Sequence, residues 1–283
     1  MDDLKKFIFS ISIIIMSKKF KYLFNTSKPI IAMVHLPALP GSPLYDSKLG
    51  LDHIVQVAER DLIALQDAGV DAVMFGNEND RPYEFNVNQA SLSTTAYVIG
   101  ALKNKIKVPF GVNLLWDPIS TIAVAASTGA HFVREIFTGT YASDMGIWSP
   151  DAGKAMRYRN SLNREDLLMF YNISAEFAFS IDRRSVADRS KSVVFSSIPD
   201  AILVSGQITG ESANKSDLEA VKKIIPKTPV LANTGVNLKN VEETLGIADG
   251  VIIGSSLKID GDTWNQVDPN RAKDFMNKVK SIR

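Results

Sequence analysis

The stretch PVLANTGVNLKNVEETLGIADGVIIGSSLK, residues 229–258, contains the pattern that decides the fold. Two short apolar runs, 230–232 and 250–253, each end in a turn of small residues, and a helical segment over 238–245 lies between them. Glycine in such turns lets backbone N–H groups approach a ligand, and the start of the following helix adds a partial positive charge. In a parallel α/β barrel the loops after the last two strands commonly bind phosphate. The stretch therefore predicts those two strands, while ordinary strand-to-helix turns that need glycine are the alternative.

Six more apolar runs precede this stretch, and helical patterns separate most of them. The runs predict strands over 30–35, 71–75, 108–115, 131–137, 167–173 and 200–205. The apolar spacing predicts further helices over 50–68, 88–102, 118–127, 185–198, 218–225 and 270–282. Short continuous apolar strands are typical of a parallel sheet that is covered on both faces. We therefore predict a single-domain α/β protein, a (β/α)8 TIM barrel over residues 28–283, with residues 1–27 as a short extension outside it.

Composition narrows the classes of function. The chain of 283 residues suits one barrel of about 250 residues with additions. Its 32 basic and 31 acidic residues nearly cancel, so the charge gives no sign of a nucleic-acid partner. The absence of cysteine excludes disulfides, thiolate metal sites and a cysteine nucleophile, and it fits a cytoplasmic protein.

An apolar run near the amino terminus, residues 7–16, is flanked by lysines. Ten residues are too few to cross a bilayer, so we predict no stable membrane insertion. A weak membrane anchor and a translation start at Met16 are the alternatives.

Polar residues follow nearly every predicted strand, at the end of the barrel where chemistry takes place in this fold. His35 has an ordinary pKa near 6.5 that suits proton transfer. The predicted acid–base residues are His35, Asp117, Glu135, Asp144 and Glu176. The predicted substrate- or phosphate-binding residues are Asn77, Asn113, Arg134, Ser205, Gly206, Asn233, Thr234, Gly235, Gly254, Ser255 and Ser256. For each acidic residue, an ion pair or a helix cap is the alternative.

The motifs of several cofactor classes are missing. No lysine ends a predicted strand, which argues against a Schiff-base aldolase. Neither a dinucleotide-binding glycine motif nor a P-loop is present, and no closely spaced histidine pair exists for zinc. No cofactor is predicted, and a site for Mg²⁺ or Mn²⁺ with oxygen ligands stays open.

The segment 138–160 predicts a long loop after the fourth strand. It carries Tyr141, Trp148 and Tyr158, which a solvated linker would not need. We expect part of it to pack over the barrel mouth as a lid that brings Asp144, Arg157 and Arg159 toward a ligand.

Several motifs resemble those of the BtpA/SgcQ family. They are IIAMVHLPALPGSP, DAVMFGNENDRPYEF, FGVNLLWDP, RYRNSL, AILVSGQITGE and DGVIIGSSLK, and they run in order from about residue 28 to the carboxyl terminus. The segments REIFTGTYASDMGIW and ANTGV resemble the SgcQ-type branch in particular. The chain lacks the Arg-Val-Asn turn and the Lys-His pair of BtpA-like members, which argues against a role in photosystem I biogenesis.

The resemblance implies a TIM barrel related to phosphate-binding barrels, from a family associated with sugar transport and carbohydrate metabolism. It implies an enzyme that acts on a small phosphorylated compound, either a sugar phosphate or a nucleoside-like ligand, as a nucleosidase or glycosyl hydrolase. A sugar-phosphate isomerase or epimerase is one alternative, and a non-catalytic assembly factor of the BtpA type is the other. The expected partner is the phosphorylated ligand, and homo-oligomerisation is left open.

Overall fold

The computed structural model describes residues 18–283. Numbered along the chain, the strands are β1 (Ile30–His35), β2 (Ala72–Gly76), β3 (Phe110–Asn113), β4 (Phe132–Glu135), β5 (Tyr141–Ser143), β6 (Gly146–Trp148), β7 (Leu168–Asn172), β8 (Ala178–Ser180), β9 (Ala201–Val204), β10 (Val230–Ala232) and β11 (Gly250–Ile253). Eight of them form a closed parallel barrel in the order β1-β11-β10-β9-β7-β4-β3-β2. The predicted barrel is therefore confirmed.

Helices follow the barrel strands and cover the outside of the sheet. They are α1 (Gly50–Ala68), α2 (Gln89–Leu102), α3 (Pro118–Thr128), α4 (Ala152–Ser161), α5 (Val186–Ser197), α6 (Lys215–Ile224), α7 (Val241–Ile247) and α8 (Pro269–Ile282). Every residue of the eight barrel strands is buried, because the helices pack on one face and the barrel interior fills the other.

Local sequence explains where several helices begin and end. Asp117 caps α3 by accepting hydrogen bonds from the N–H groups of Ile119 and Ser120, and the proline at the first position suits a helix start. Gly69 and Gly129 end α1 and α3 in the left-handed conformation, with φ of 86° and 72°. Glycine adopts that conformation without the steric cost that a side chain brings.

Helical residues 18–24 close the amino-terminal end of the barrel. Phe20 and Phe24 are buried there against aromatic rings of two barrel strands. The ring of Phe24 lies 5.7 Å from that of Phe132, and the ring of Phe20 lies 5.7 Å from that of Phe170. This part of the predicted extension thus contributes to the barrel core. The apolar run 7–16, with its alternative readings, lies outside the described residues.

The segment that the sequence predicts as a long loop is ordered into a hairpin and a helix. Strands β5, β6 and β8 form a three-stranded antiparallel sheet, and α4 follows the hairpin. Helix α4 escapes prediction because it is strongly polar and buries only Ala155, so its sequence shows no apolar stripe. Within residues 18–283, no helix has the length and apolar character needed to cross a bilayer.

Candidate functional site

A cavity of about 220 Å³ opens at the carboxyl ends of the barrel strands. Nine of the predicted site residues line it: His35, Arg134, Glu135, Glu176, Thr234, Gly235, Gly254, Ser255 and Ser256. The walls also include Met33, Leu115, Trp116, Ile136, Phe177 and Ile252. The cavity therefore combines buried charges with an apolar wall.

Seven predicted residues do not line the cavity, and four of these form hydrogen bonds with the side chains of residues that do. The hydroxyl of Ser205 donates to Oδ1 of the lining residue Asn172 at 3.1 Å and accepts from the amide nitrogen of Asn233 at 2.7 Å. Asn113 and Asn233 hold Arg134, as described below. The N–H of Gly206 donates to the hydroxyl of Thr234 at 2.6 Å, so it positions a lining residue.

The other three of these residues have structural positions. The Oδ1 of Asn77 accepts from the N–H of Leu115 at 2.8 Å. Asp117 is fully engaged as the cap of α3, with its Oδ2 accepting from Val87 N–H at 2.9 Å. Asp144 is exposed in the turn between β5 and β6. Neither aspartate is therefore placed to act on a ligand in the cavity.

Arg134 lies at the centre of the site and is held by two asparagines. Its Nη1 donates to Asn233 Oδ1 at 3.0 Å, and its Nη2 donates to Asn113 Oδ1. The amide nitrogen of Asn113 in turn donates to Glu135 at 2.9 Å, and that of Asn233 donates to Glu176 at 3.3 Å. Each asparagine therefore stands between the guanidinium and one carboxylate.

Glu135 is a buried carboxyl group that accepts three hydrogen bonds. Donors are the amide of Asn113 and the backbone N–H groups of Trp116, at 2.8 Å, and Ile136. Burial raises the pKa of Glu135 to about 7, against the opposing effects of Arg134 and these donors. This group therefore titrates near neutral pH.

His35 and Glu78 meet at the ends of the neighbouring strands β1 and β2. The Nε2 of His35 lies 3.7 Å from Oε1 of Glu78. Burial, and then the charges of Lys258 and Arg134, lower the pKa of His35 to about 3. The predicted ordinary pKa is therefore wrong, because the ring stays neutral at physiological pH. Burial also raises the pKa of Glu78.

The two small-residue turns of residues 229–258 form one side of the cavity. Gly235 has φ of +65°, and a Cβ there would lie 2.1 Å from the backbone nitrogen of Ser212. A Cβ on Gly254 would lie 3.0 Å from Cε1 of His35. Position 235 therefore needs glycine, whereas a side chain in place of Gly254 would crowd the ring of His35. Arg271, at the start of α8, lines the same side and donates from Nε to the carbonyl of Ser256 at 3.1 Å.

Three charged residues in or near the site are not predicted from the sequence. Glu78 stands one residue after Asn77, and Gly76 leaves it room, since a Cβ there would lie 2.4 Å from Oε2 of Glu78. Arg271 belongs to a helix far along the chain, and no local pattern connects it to the turns. Lys258 follows β11 by five residues and does not line the cavity.

Lys258 forms a buried ion pair, and its amine does not reach the cavity in the barrel mouth. Its Nζ lies 3.5 Å from Oδ2 of Asp61 on α1 and donates to the carbonyl of Asn265 at 2.9 Å. Burial lowers the pKa of Lys258, and Asp61 opposes that shift. The pair fixes the loop after β11 to the first helix.

Aromatic residues of the hairpin pack beside the cavity. The ring of Trp148 stacks on Phe85 at 5.6 Å and meets the lining residue Trp116 at 5.0 Å. Arg157 and Arg159 lie on α4 and do not line the cavity; Arg159 donates to the carbonyl of Leu167 at 3.3 Å, next to the start of β7. In residues 18–283 no group of three or more His, Asp or Glu side chains is placed to hold a metal ion.

Comparisons with known proteins give the family. The sequence model of the BtpA family matches residues 26–281. SgcQ, a protein of the sgc region of Escherichia coli, is 45% identical over 263 residues, which are 93% of this chain and 98% of that protein. The photosystem I biogenesis protein BtpA of Synechocystis is 30% identical over 256 residues, 89% of this chain and 88% of that protein.

Solved structures share the barrel at low sequence identity. Phosphoribosyl anthranilate isomerase from Thermus thermophilus has a TM-score of 0.56 and 10% identity, covering 90% of this chain and 100% of that one. Dihydropteroate synthase from Xanthomonas albilineans with 4-aminobenzoic acid has a TM-score of 0.55 and 15% identity, covering 90% and 93%. At such identities the likeness shows the fold alone.

Proposed function

The chain belongs to the BtpA family, with SgcQ and BtpA as relatives along nearly its whole length, and from that premise we propose that it is an enzyme that acts on a small phosphorylated compound. One observation carries the proposal. The turns around Gly235 and Gly254, with Arg271 beside them, line the same cavity as the buried Glu135 and the half-buried Glu176. A wall that suits a phosphate group thus faces carboxyl groups that can move protons.

The phosphate would lie against the two turns. The backbone N–H groups of Gly235 and Val236 donate to no acceptor within residues 18–283. Free N–H groups at a glycine turn suit phosphate oxygens, and a nearby guanidinium adds charge-assisted hydrogen bonds. Arg271 is exposed at the rim, where it can reach such a group.

Proton transfer would fall to the carboxyl groups that line the cavity. The pKa values of Glu78, Glu135 and Glu176 are all raised, chiefly by burial. A carboxyl group that titrates near neutrality can both give and take a proton during a reaction. Proton transfer at carbon, as in an isomerase or epimerase, needs two such groups on either side of one atom. Glycosyl hydrolysis also uses a pair of carboxyl groups, so the isomerase or epimerase class and the nucleosidase class both stay predictions, as does a role in carbohydrate metabolism.

The assembly-factor alternative explains the cavity less well. Burying a charged group costs free energy, on the order of several kcal/mol per ion. In a barrel that binds no ligand, nothing would offset this loss of stability. Buried Arg134, Glu78 and Glu135 nevertheless line this cavity, together with the half-buried Glu176. A cytoplasmic location and a homo-oligomer are part of the proposal and stay predictions.

Phosphate binding is tested with the purified full chain by thermal shift and calorimetry. We expect inorganic phosphate and glycerol 3-phosphate to bind and to raise the melting temperature. Arg271→Gln should weaken both ligands by about 5- to 10-fold, the share of one partly solvated charged hydrogen bond. Arg157→Gln is the matched control, because that arginine lies on α4 away from the cavity. The proposal is contradicted if neither ligand binds, or if Arg271→Gln and Arg157→Gln lose the same affinity.

A further inference from the structure

Arg134 projects across the barrel mouth from the wall opposite the phosphate-binding turns. In the strand order, β4 stands four places from β11 around the ring of eight. The guanidinium nevertheless reaches Asn233, which directly follows β10. The side chain therefore lies over the centre of the barrel, where a bound molecule that is anchored at the turns would extend.

No carboxylate forms a hydrogen bond with this guanidinium among residues 18–283. Its two partners are the amide oxygens of Asn113 and Asn233. The nearest carboxylate oxygen, Oε1 of Glu78, lies 4.0 Å away, beyond hydrogen-bond distance. A guanidinium has five N–H donors, so most of them remain free to serve a ligand.

Among residues 18–283 the only ion pair of Arg134 is the one with Glu78 at 4.0 Å, and burial raises the pKa of Glu78 as well. Glu135 and Glu176 are each separated from Arg134 by an asparagine. Burial raises the pKa of both, which favours their neutral forms. Arg134 itself is only 7% exposed, and a buried guanidinium needs an anionic partner to offset its lost hydration.

We propose that Arg134 binds a carboxylate of the ligand, so that the substrate is a phosphorylated carboxylic acid. This inference rests on the proposed function for the phosphate end of the molecule. The planar guanidinium matches a carboxylate with two parallel hydrogen bonds, and the two asparagines hold it in the orientation that it needs. The phosphate then occupies the turns at Gly235 and Gly254, and the carboxylate lies toward β4.

Two commercial compounds with the same carbon skeleton separate the two ends. 3-Phosphoglycerate carries a carboxylate where glycerol 3-phosphate carries a hydroxymethyl group. Calorimetry on the full chain should show 3-phosphoglycerate binding about 10-fold tighter or more, because a charged hydrogen-bonded pair replaces a neutral contact. Equal affinities for the two compounds overturn the inference and leave the proposed function intact. If neither they nor inorganic phosphate bind, both are wrong.

Variants of Arg134 assign the preference to this side chain. In Arg134→Gln the ratio of the two affinities should fall to near one, while inorganic phosphate still binds. Arg134→Lys should keep part of the preference, since it retains a point charge but loses the fork. Circular dichroism confirms folding, and the lysine variant decides the matter if the glutamine variant does not fold. If a folded variant without the guanidinium still prefers 3-phosphoglycerate to the same extent, Arg134 does not bind the carboxylate.

Discussion

The backbone N–H of Trp116 donates to Oε1 of Glu135 at 2.8 Å. Trp116 adopts φ of +70°, a left-handed conformation that is rare for a bulky side chain and costs on the order of 1–3 kcal/mol. The turn after β3 is therefore shaped to bring a donor to a buried carboxyl group. The same turn places the indole in the cavity wall, so the conformation of Trp116 and the ionisation of Glu135 depend on each other.

The titration of Glu135 should make stability fall as pH rises. The folded protein keeps this proton up to a pKa of about 7, while the unfolded chain releases it near 4.5. The contribution is thus fully present below pH 4.5 and is lost through pH 7. At 1.36 kcal/mol per unit, it amounts to at most about 3 kcal/mol. Urea unfolding of wild type and Glu135→Gln at pH 5 and pH 8 measures it.

The difference between the two proteins isolates this one residue. Glu78 and Glu176 have raised pKa values too, and the lowered pKa of His35 acts in the opposite direction, but all of these remain in both proteins. Wild type should lose more stability than Glu135→Gln between the two pH values. Equal losses would show that Glu135 ionises normally.

Phe24 should be essential to the closed end of the barrel. It is 6% exposed and contacts Phe132 and Phe170, whereas its neighbour Tyr22 is 91% exposed. Phe24→Ala should lower the free energy of unfolding by about 3–5 kcal/mol through lost burial and a cavity. Tyr22→Ala is the matched control and should change it little. Similar small effects in both variants would mean that residues 18–24 do not pack on the barrel in solution.

The buried pair of Lys258 and Asp61 should depend on both partners. Lys258→Met removes the buried cation of Asp61 and leaves the half-exposed Arg60 at 3.2 Å as its ion-pair partner, so it should cost up to about 3–5 kcal/mol of stability. The double variant Lys258→Met with Asp61→Leu should recover most of that loss, because no uncompensated charge remains. Lys215→Met, which removes an exposed pair with Glu243, should have no measurable effect. A double variant no more stable than the single one contradicts the reading.

Hydrogen exchange should distinguish the two faces of the hairpin. Trp148 is buried between rings, while Ile147 is 67% exposed on the other face. Trp148→Ala should speed amide exchange across β5 and β6 by about tenfold or more, and Ile147→Ala should leave it nearly unchanged. If exchange becomes faster in both variants, or in neither, Trp148 is not the residue that holds the hairpin in place.

The lid prediction for this hairpin has its own measurement. If the segment 138–160 closes over a ligand, glycerol 3-phosphate should increase amide protection across it. The helix α2, which lies outside the cavity wall, is the internal reference and should not change. Unchanged protection in that segment, with the ligand bound, removes the lid role.

The barrel was predictable because each strand is a continuous apolar run. Predicted and observed strands differ by a few residues at most. The largest difference is at β3, which is predicted over 108–115 and observed over Phe110–Asn113. Pro109 and the turn at Leu114 shorten that strand, which composition alone does not show. Helix α4 and the small antiparallel sheet escape prediction, since α4 buries only Ala155 and β5 pairs with β8, a strand far along the chain.

A site residue can be predicted from the sequence only where its position along a strand places it at the barrel mouth. His35, Arg134 and Glu135 stand at strand ends, and the fold alone brings them together. Glu78 and Arg271 reach the cavity through the path of a loop and the placement of a distant helix. Asp117 shows the opposite error, because the same strand-end position also suits a helix cap. The altered pKa of His35 depends on burial, which follows from packing and not from local sequence.

The contact of His35 with Gly254 gives the protein a natural spectroscopic reporter. The imidazole packs against the turn that the proposed phosphate would occupy, so its magnetic environment should change whenever that turn moves. The chain has 3 histidines, and His53 on α1 and His131 beside β4 lie away from the cavity. Imidazole proton resonances should therefore resolve well enough to follow occupancy by NMR without any added label. Compound collections can be screened on the unmodified protein in this way before any reaction is known.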